Sequence, residues 1–341
     1  MPLTLFWETL TVHTTVPFVI ARGGSSEHRT LKVTLRDKDG MEGWGEAAPN
    51  RFYGENLDTA TRALNELKPI VEACDPFQLE SLEQRMKPAL LANSVKSAIS
   101  AAAHDLVGKR LGVPLWKLWG LDPARSPKSS FTIAIAPDRA ELERRVKAAA
   151  EYPVLKVKLG TDRDEEIIRT VVAAAPDKTI RVDANAAWTP EQAVKMATLL
   201  ESLRIEYIEQ PVRADDLEGL AYVHERSPLP IIADESCVVS TDIPAVVGRV
   251  SGINIKLSKC GGLREALRMI ATARSHGLKV MAGCMIETSL GITAAAHFAP
   301  LLDYADYDGA ALLSDDPFIG ATIAGGRIVL PTEPGLGVRP R

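Results

Sequence analysis

The sequence lacks paired cysteines, long apolar runs and an excess of positive charge. Its four cysteines (Cys74, Cys237, Cys260 and Cys284) form no CxxC pair, which favours reduced thiols in the cytoplasm. No apolar run approaches the roughly 20 residues that cross a bilayer, and the N-terminus has no basic segment followed by an apolar core. The formal net charge of −4 gives no electrostatic basis for binding nucleic acid or an anionic membrane. These absences predict a cytoplasmic protein with no nucleic-acid and no membrane partner.

The chain is long enough for two lobes. Its 341 residues, 46% hydrophobic and 25% charged, exceed one ordinary core and are typical of a globular protein. In residues 1–125, Leu31, Val33 and Leu35 alternate with polar residues before a hairpin turn at Asp39-Gly40. Two helical apolar faces follow: Ala60, Ala63, Leu64, Leu67 and Val71, then Val95, Ile99, Ala102, Ala103 and Leu106. We therefore expect a first lobe of the α+β class.

In residues 126–317, apolar strands alternate with helix-length segments. Five of these strands end in charged residues: 154–158, 180–183, 205–209, 231–234 and 253–256. Their last residues, from Lys158 to Lys256, are 25, 26, 25 and 22 positions apart, about one strand, one helix and two loops. In a parallel barrel all these turns lie on one face, where such folds carry out chemistry. The remaining residues, 318–341, are rich in glycine and proline, and we expect them to pack on the first lobe.

Three of the strand ends are carboxylates: Asp183, Glu209 and Asp234. Each one alone could simply be the N-cap of the next helix. Together, at the ends of three consecutive strands, they would converge on the barrel mouth, where a hard divalent cation would offset their mutual repulsion. Magnesium prefers oxygen ligands and keeps positions open for water or substrate. The pattern therefore predicts a Mg²⁺ site, with a solvent-exposed acidic rim as the alternative.

Lysines accompany the carboxylates. Lys156 and Lys158 are two apart on one strand and so point the same way, and a buried lysine is costly unless it is paired or functional. A second ammonium and a nearby metal ion favour the neutral amine that a general base requires at Lys158. Lys256 lies four strands later, on the opposite side of an eight-stranded circle, so the pair could remove an α-proton from one face and return it to the other. A Schiff-base lysine is the competing use, although it needs no metal carboxylates; we interpret Lys259 as a helix-start or surface charge.

These segments resemble the enolase superfamily, and within it the muconate-lactonizing subgroup. The motifs are Lys156-Val157-Lys158, Asp183-Ala184-Asn185, Ile208-Glu209-Gln210-Pro211, Ala233-Asp234-Glu235-Ser236, and Asn254-Ile255-Lys256-Leu257 with Gly261-Gly262. In the first lobe, Trp44-Gly45-Glu46-Ala47, the segment 103–109 and Gly112-Val113-Pro114 are similar to the capping domain of that family. The resemblance covers nearly the whole chain.

The resemblance implies a modified TIM barrel, (β/α)7β, with an N-terminal α+β capping domain. It implies that Asp183, Glu209 and Asp234 hold Mg²⁺, which would stabilise the enediolate formed when the α-proton leaves. It also implies that Lys158 and Lys256 are the acid/base pair. Lys156 would add positive charge beside the substrate carboxylate.

The eighth strand carries the segment that distinguishes between reactions. Asp306 and Asp308 are two apart and share a direction. They resemble the Asp-x-Asp pair with which dipeptide epimerases of the family bind the free amino group of a dipeptide; a solvated acidic loop is the alternative. Muconate cycloisomerases and o-succinylbenzoate synthases have no substrate ammonium to bind. We therefore expect a dipeptide epimerase, with L-Ala-D/L-Glu as the leading substrate.

The other end of the pocket is expected in the cap. Arg22, before two glycines, is placed to meet a distal substrate carboxylate, as a cap-loop arginine does in L-Ala-D/L-Glu epimerases. Thr132, Cys284 and Ile286 fall where the family lines its pocket, with ordinary packing at the barrel rim as the alternative. The roles of Arg51, Tyr53 and Glu55 in the second cap loop stay open.

Other functions are compatible with the same residues. Within the subgroup these are a cycloisomerase, an o-succinylbenzoate synthase or an N-acylamino-acid racemase, since one fold hosts several reactions. Outside it, the chain could be a non-catalytic barrel that binds a metal or an acidic ligand. The sequence leaves open the preferred dipeptide, the pathway and the oligomeric state, a homo-oligomer included.

Overall fold

The first lobe is built on an antiparallel sheet of three strands. The computed structural model describes residues 3–341. The strands are β1 (Leu3–Ile20), β2 (Gly23–Asp37) and β3 (Glu42–Ala47). As the alternation predicted, Leu31, Val33 and Leu35 are buried, and Gly40 N donates to Asp37 O (3.0 Å) in the turn before β3. The long β1–β2 hairpin ends in a tight turn that contains Arg22.

The first lobe also contains four helices. They are α1 (Leu57–Glu72), α2 (Leu79–Met86), α3 (Asn93–Leu111) and α4 (Leu115–Leu118). Both predicted apolar faces are buried, one on α1 and one on α3. Helix α3 lies directly against β3 because Gly45 has no side chain; a Cβ there would collide with Ala98 O.

The second lobe is a closed barrel of eight parallel strands. They are β4 (Phe131–Ile133), β5 (Val154–Lys158), β6 (Thr179–Asp183), β7 (Ile208–Glu209), β8 (Ile231–Ala233), β9 (Gly252–Ile255), β10 (Lys279–Gly283) and β11 (Tyr304–Asp306). Neighbours in the chain are neighbours in the barrel, and a parallel bridge between Ser129 and Ala305 closes the circle.

Helices follow each of the first seven strands of the barrel. They are α5 (Arg139–Ala148), α6 (Asp164–Ala174), α7 (Pro190–Ser202), α8 (Leu217–Arg226), α9 (Ile243–Val246), α10 (Leu257–Cys260), α11 (Leu263–Ser275) and α12 (Ser289–Ala296). Short 3-10 turns occupy Arg51–Tyr53, Pro123–Arg125, Ser240–Asp242, Ala299–Leu301 and Ala310–Leu312. The predicted (β/α)7β barrel with an α+β cap is confirmed. Within residues 3–341, no helix has both the length and the hydropathy that crossing a bilayer requires.

One strand is shorter than its sequence pattern predicted. The apolar run 205–209 forms ladder pairs only at Ile208 and Glu209. Glu206 N still donates to Ile180 O (2.8 Å), but the Glu206 carboxylate accepts from Arg181 Nε (2.6 Å) at the other end of the barrel. The guanidinium of Arg181 lies over the rings of Tyr207 and Tyr304, 5.4 and 5.0 Å from their centroids. These side chains pack together at the end of the barrel opposite the carboxylates.

The C-terminal segment contacts both lobes. Its strands are β12 (Phe318–Ile319), β13 (Thr322–Ala324), β14 (Arg327–Val329) and β15 (Arg339–Pro340). Leu336 N donates to Asp105 Oδ1 (2.7 Å) in α3, and Ala321 N donates to Thr293 Oγ1 (2.8 Å) in α12. The division of the chain at residues 125 and 317 remains our proposal.

Candidate active site

The strand register brings the three predicted metal ligands to one height in the barrel. Lys158 pairs with Asp183 across β5 and β6, and Asp183 pairs with Glu209 across β6 and β7. Asp234 follows β8 by one residue. One oxygen from each of the three carboxylates lies within 4.8 Å of the others, and all three residues are 0% exposed. The predicted convergence at the barrel mouth is therefore present.

One oxygen of each carboxylate is held from outside the cluster. These bonds join Asp183 Oδ1 to Asn185 N (2.8 Å), Glu209 Oε1 to Asn254 Nδ2 (2.7 Å), and Asp234 Oδ1 to Lys259 Nζ (2.6 Å). Partners of this kind fix the orientation of metal-binding side chains.

The second oxygen of each carboxylate faces a lysine of the cavity. The pairs are Asp183 Oδ2 with Lys158 Nζ, Glu209 Oε2 with Lys156 Nζ, and Asp234 Oδ2 with Lys256 Nζ, each at 2.7 Å. Although it is this close to a lysine, Glu209 Oε2 accepts no hydrogen bond from the described residues. Three buried carboxylates with oxygens within 4.8 Å of one another, one of these oxygens without a hydrogen bond, fit a hard divalent cation such as Mg²⁺.

The electrostatics of the cluster show why it requires positive charge. Burial, together with the Asp183 carboxylate, raises the pKa of Glu209 to about 7. Burial also opposes ionisation of Asp183, but the ammonium groups of Lys158 and Lys156 outweigh it and hold the Asp183 pKa below its ordinary value. The carboxylates stay ionised together only where cations lie among them.

Lys158 and Lys256 lie on opposite sides of the barrel. Lys158 ends β5, Lys256 follows β9, and four steps separate these strands around the circle. Lys158 is 7% exposed and Lys256 8% exposed, and both line the same cavity. A small molecule bound above the carboxylates would have one amine on each face.

Asp306 and Asp308 are buried at the end of β11 and line this cavity. Asp306 accepts from Ser130 Oγ (2.7 Å) and from Lys156 Nζ (2.9 Å). Burial alone would raise the Asp306 pKa, but Lys156 outweighs it and the pKa is lowered. Asp308 accepts from Thr132 N (2.5 Å), and burial together with the Asp306 charge raises its pKa to about 7. The predicted pair is therefore an inward-facing site of negative charge and not a solvated loop.

The cavity lies between the barrel mouth and the cap and has a volume of about 910 Å³. Thr132, Cys284 and Ile286 line it as predicted from the barrel side. On the cap side, its wall includes Arg22 from the β1–β2 turn and Arg51 from the loop after β3. The cavity can therefore enclose a molecule of dipeptide size.

Arg22 already has protein partners. Its Nη2 donates to Glu235 Oε1 (2.8 Å) and its Nη1 to Asn185 O (2.8 Å). The guanidinium also stacks on Phe52, 4.3 Å from the ring centroid. The side chain is 34% exposed. Arg22 thus joins the cap to the barrel as well as lining the cavity.

Lys259 lies in the short helix α10, as the helix-start interpretation predicted, but the alternative of a surface charge is wrong. Its side chain is 0% exposed because α10 turns it back under the end of β8. Sequence reasoning also missed Asn254, which binds Glu209. The signal for Asn254 was present, since it precedes Lys256 by two residues and alternate residues of a strand share a face.

Family models match both lobes. Residues 6–120 match the N-terminal domain of the mandelate racemase / muconate lactonizing enzyme family. Residues 138–341 match the enolase C-terminal domain-like family. The chain belongs to this family, within the enolase superfamily. The resemblance found in the sequence motifs is therefore confirmed.

Several epimerases of the family are similar to this protein along almost the whole chain. An L-Ala-D/L-amino acid epimerase from Maribacter sp. is 42% identical over 94% of this chain and 94% of its own. An L-Ala-D/L-Glu epimerase from Bacteroides thetaiotaomicron is 41% identical over 94% of this chain and 84% of its own. A dipeptide epimerase from Enterococcus faecalis, solved with Mg and L-Leu-L-Tyr, superposes with a TM-score of 0.94 and is 32% identical, covering 99% of both chains.

Proposed function

We propose that this protein is an isomerase that epimerises dipeptides with Mg²⁺ as cofactor, and that L-Ala-D/L-Glu is its leading substrate. The observation that carries the proposal is the placement of Lys158 and Lys256 on opposite sides of one carboxylate cluster. Relatives over 40% identical are epimerases of dipeptides that begin with L-Ala. That similarity extends over the residues that build both the barrel and the cap.

In this proposal Asp183, Glu209 and Asp234 hold Mg²⁺. When bound, Mg²⁺ supplies positive charge that holds the substrate carboxylate and makes the adjacent α-hydrogen more acidic. Lys156 lies 2.7 Å from Glu209 Oε2 and 2.9 Å from Asp306 Oδ2, so it adds a fixed positive charge between the metal site and the amino-group site.

The proton transfer belongs to the two facing lysines. One amine removes the α-proton of the second residue of the dipeptide, and the ammonium on the opposite face returns a proton to the same carbon. The configuration inverts because removal and return occur on opposite faces. The reverse reaction exchanges the roles of Lys158 and Lys256.

Asp306 and Asp308 distinguish this reaction from others in the subgroup. Their buried negative charge suits the free ammonium of a dipeptide, which the substrates of cycloisomerases and o-succinylbenzoate synthases lack. Arg22, Thr132, Cys284 and Ile286 would surround the side chain of the second residue. An acidic side chain there would meet the remaining donors of Arg22, because a guanidinium offers five N–H groups.

The test is hydrogen exchange in D₂O. A library of L-Ala-X dipeptides is incubated with protein and Mg²⁺, and mass spectrometry follows the uptake of one deuterium at the α-carbon of X. We expect uptake with both configurations of X, strongest for Glu, and none after Mg²⁺ is chelated. The double variant Lys158→Ala, Lys256→Ala lacks both amines and gives the background level of deuterium uptake. If no dipeptide gains deuterium, the proposed function is wrong.

A further inference from the structure

Lys259 is a fully buried ammonium that does not face the cavity. It lies in α10, and its Nζ has four acceptors within hydrogen-bonding distance. They are Asp234 Oδ1 (2.6 Å), Asp234 O (2.6 Å), Asn254 O (2.8 Å) and Cys237 O (3.2 Å). A buried lysine is costly unless its charge and its donors are satisfied, and these acceptors satisfy both.

The three carbonyl contacts fix the position of the Lys259 ammonium relative to the strand ends. Asn254 belongs to β9, whereas Asp234 and Cys237 follow β8. The ammonium therefore bridges the segments that carry Asp234 and Lys256. Its position depends on backbone atoms and not on the lysines of the cavity.

The two oxygens of Asp234 have different cationic partners. The Lys259 ammonium donates to Oδ1 at 2.6 Å, while the Lys256 ammonium lies 2.7 Å from Oδ2 on the cavity side. Without Lys259, the cavity lysine Lys256 would be the remaining cationic partner of this carboxylate. Any rotation of the Asp234 side chain would then move Oδ2 out of the group formed with Asp183 and Glu209.

We propose that Lys259 is a positioning residue of the magnesium site. It holds Asp234 Oδ1 against the end of β8 so that Oδ2 is presented to the metal together with the oxygens of Asp183 and Glu209. This inference rests on the Mg²⁺ site of the proposed function. The backbone NH of Asn185 and the side-chain amide of Asn254 hold the other two carboxylates, and Lys259 is the charged member of these three outer partners.

Lys178 provides a matched control. Its Nζ also donates to three backbone carbonyls, those of Ala149, Ala150 and Tyr152, at 2.7, 2.8 and 2.5 Å. It precedes β6, so it lies at the end of the barrel opposite Asp183. Replacing Lys178 removes a similar set of bonds without touching the site.

The experiment measures Mg²⁺ binding alone, without a dipeptide. Calorimetric titration with MgCl₂ is carried out on the wild type, Lys259→Met and Lys178→Met, with urea unfolding of each. We expect Lys259→Met to weaken Mg²⁺ binding by roughly 10- to 100-fold, the usual effect of losing an outer partner of a metal ligand. Lys178→Met should lose stability but bind Mg²⁺ as the wild type does.

The outcomes separate the two proposals. If the wild type itself binds no Mg²⁺, the metal site of the proposed function fails. If the wild type binds Mg²⁺ and Lys259→Met binds it equally or more tightly, the role of Lys259 is overturned. If Lys259→Met is unfolded without metal, its urea midpoint is measured against Mg²⁺ concentration, which reports the same affinity. Failure to fold at any Mg²⁺ concentration would show that Lys259 serves the fold and would also overturn the inference.

Discussion

Arg22 of the cap and Glu235 of the barrel form an ion pair with 2.8 Å between Nη2 and Oε1. Glu235 directly follows Asp234, and the second contact of Arg22, to Asn185 O, lies two residues beyond Asp183. The turn between β1 and β2 is thus attached to two of the strand ends that carry the carboxylate cluster. Arg22 and Asn185, which this connection joins, both line the cavity.

The first prediction concerns the selectivity that Arg22 provides. Replacing Arg22 by Met should lower kcat/KM for L-Ala-L-Glu more than for L-Ala-L-Leu, by roughly 10- to 100-fold, the range of a lost hydrogen bond to a charged group. The measurement is the ratio of the two kcat/KM values. Arg29 also lines the cavity but pairs with Glu27 at 2.9 Å in an exposed position, so Arg29→Met should leave the ratio unchanged. Equal losses for both dipeptides would mean that Arg22 only attaches the cap.

The second prediction follows from the Asp308 carboxyl. Its pKa of about 7, raised by burial and by Asp306, means that it is half protonated near neutral pH. A substrate ammonium prefers the ionised form, so affinity for L-Ala-L-Glu should rise as the pH rises through 7 and should then level off. Below pH 7 it should fall by up to about tenfold per pH unit. Calorimetry at several pH values measures this.

Two controls accompany the Asp308 prediction. An N-acetylated dipeptide has no ammonium and should bind weakly at every pH. The variant Asp308→Asn should bind L-Ala-L-Glu more weakly and without a transition near pH 7. If the affinity of Asp308→Asn changes near pH 7 by as much as that of the wild type, another group causes the pH dependence.

The third prediction separates the two faces of the substrate. Lys158→Ala and Lys256→Ala should each abolish epimerisation, because return of the proton from the opposite face needs both amines. Each variant should still exchange the α-hydrogen of one stereoisomer, and the two variants should prefer opposite isomers. Nuclear magnetic resonance of L-Ala-L-Glu and L-Ala-D-Glu in D₂O follows the exchange. Exchange of both isomers in either variant would contradict the two-face assignment.

The fourth prediction is acid destabilisation through a buried histidine. His297 Nδ1 accepts from Trp116 N (3.3 Å), and His297 Nε2 donates to Leu336 O (3.1 Å), so the neutral ring satisfies both partners. Burial lowers the His297 pKa to about 4, against about 6.5 in an unfolded chain. Between these values the unfolded state binds more protons, so the free energy of unfolding falls as the pH falls from 6.5 to 4, by about 3 kcal/mol in total.

Urea unfolding at pH 7, 6 and 5 measures this slope. His104, whose pKa burial also lowers to about 4, adds a second contribution of the same sign. The variant His297→Gln should lose part of the slope, whereas His276→Gln, at an exposed position, should keep all of it. An unchanged slope in His297→Gln would show that another group causes the acid sensitivity.

Much of the site was predictable because it lies on regular strands. The even spacing of the charged strand ends predicted the barrel. In a barrel, parallel pairing of neighbouring strands places Lys158, Asp183 and Glu209 side by side. The two-residue period of a strand likewise places Lys156 with Lys158. Such positions follow from local geometry, since neighbouring strands in a barrel have a fixed offset.

Other contacts of the site join segments that are distant in the sequence. No local sequence pattern predicts that these segments come together. Arg22 meets Glu235 across 213 residues of sequence, through a turn whose direction depends on how the cap packs on the barrel. Lys259 follows Lys256 by three residues in a polar start of a helix, a pattern that is equally typical of a surface charge. Its burial follows from the close return of α10 beneath the end of β8.

The sequence by itself therefore determined the family, the barrel, and the identity of the carboxylates and lysines at its mouth. It could do so because strand period and unit spacing are local properties that place successive strand ends on one face. Only the tertiary structure decided which oxygen of each carboxylate accepts a hydrogen bond from outside the cluster, and that Lys259 is one of the donors. It also decided that Arg22 joins the cap to the barrel. Those contacts join distant segments, and their geometry exists only after both lobes have packed together.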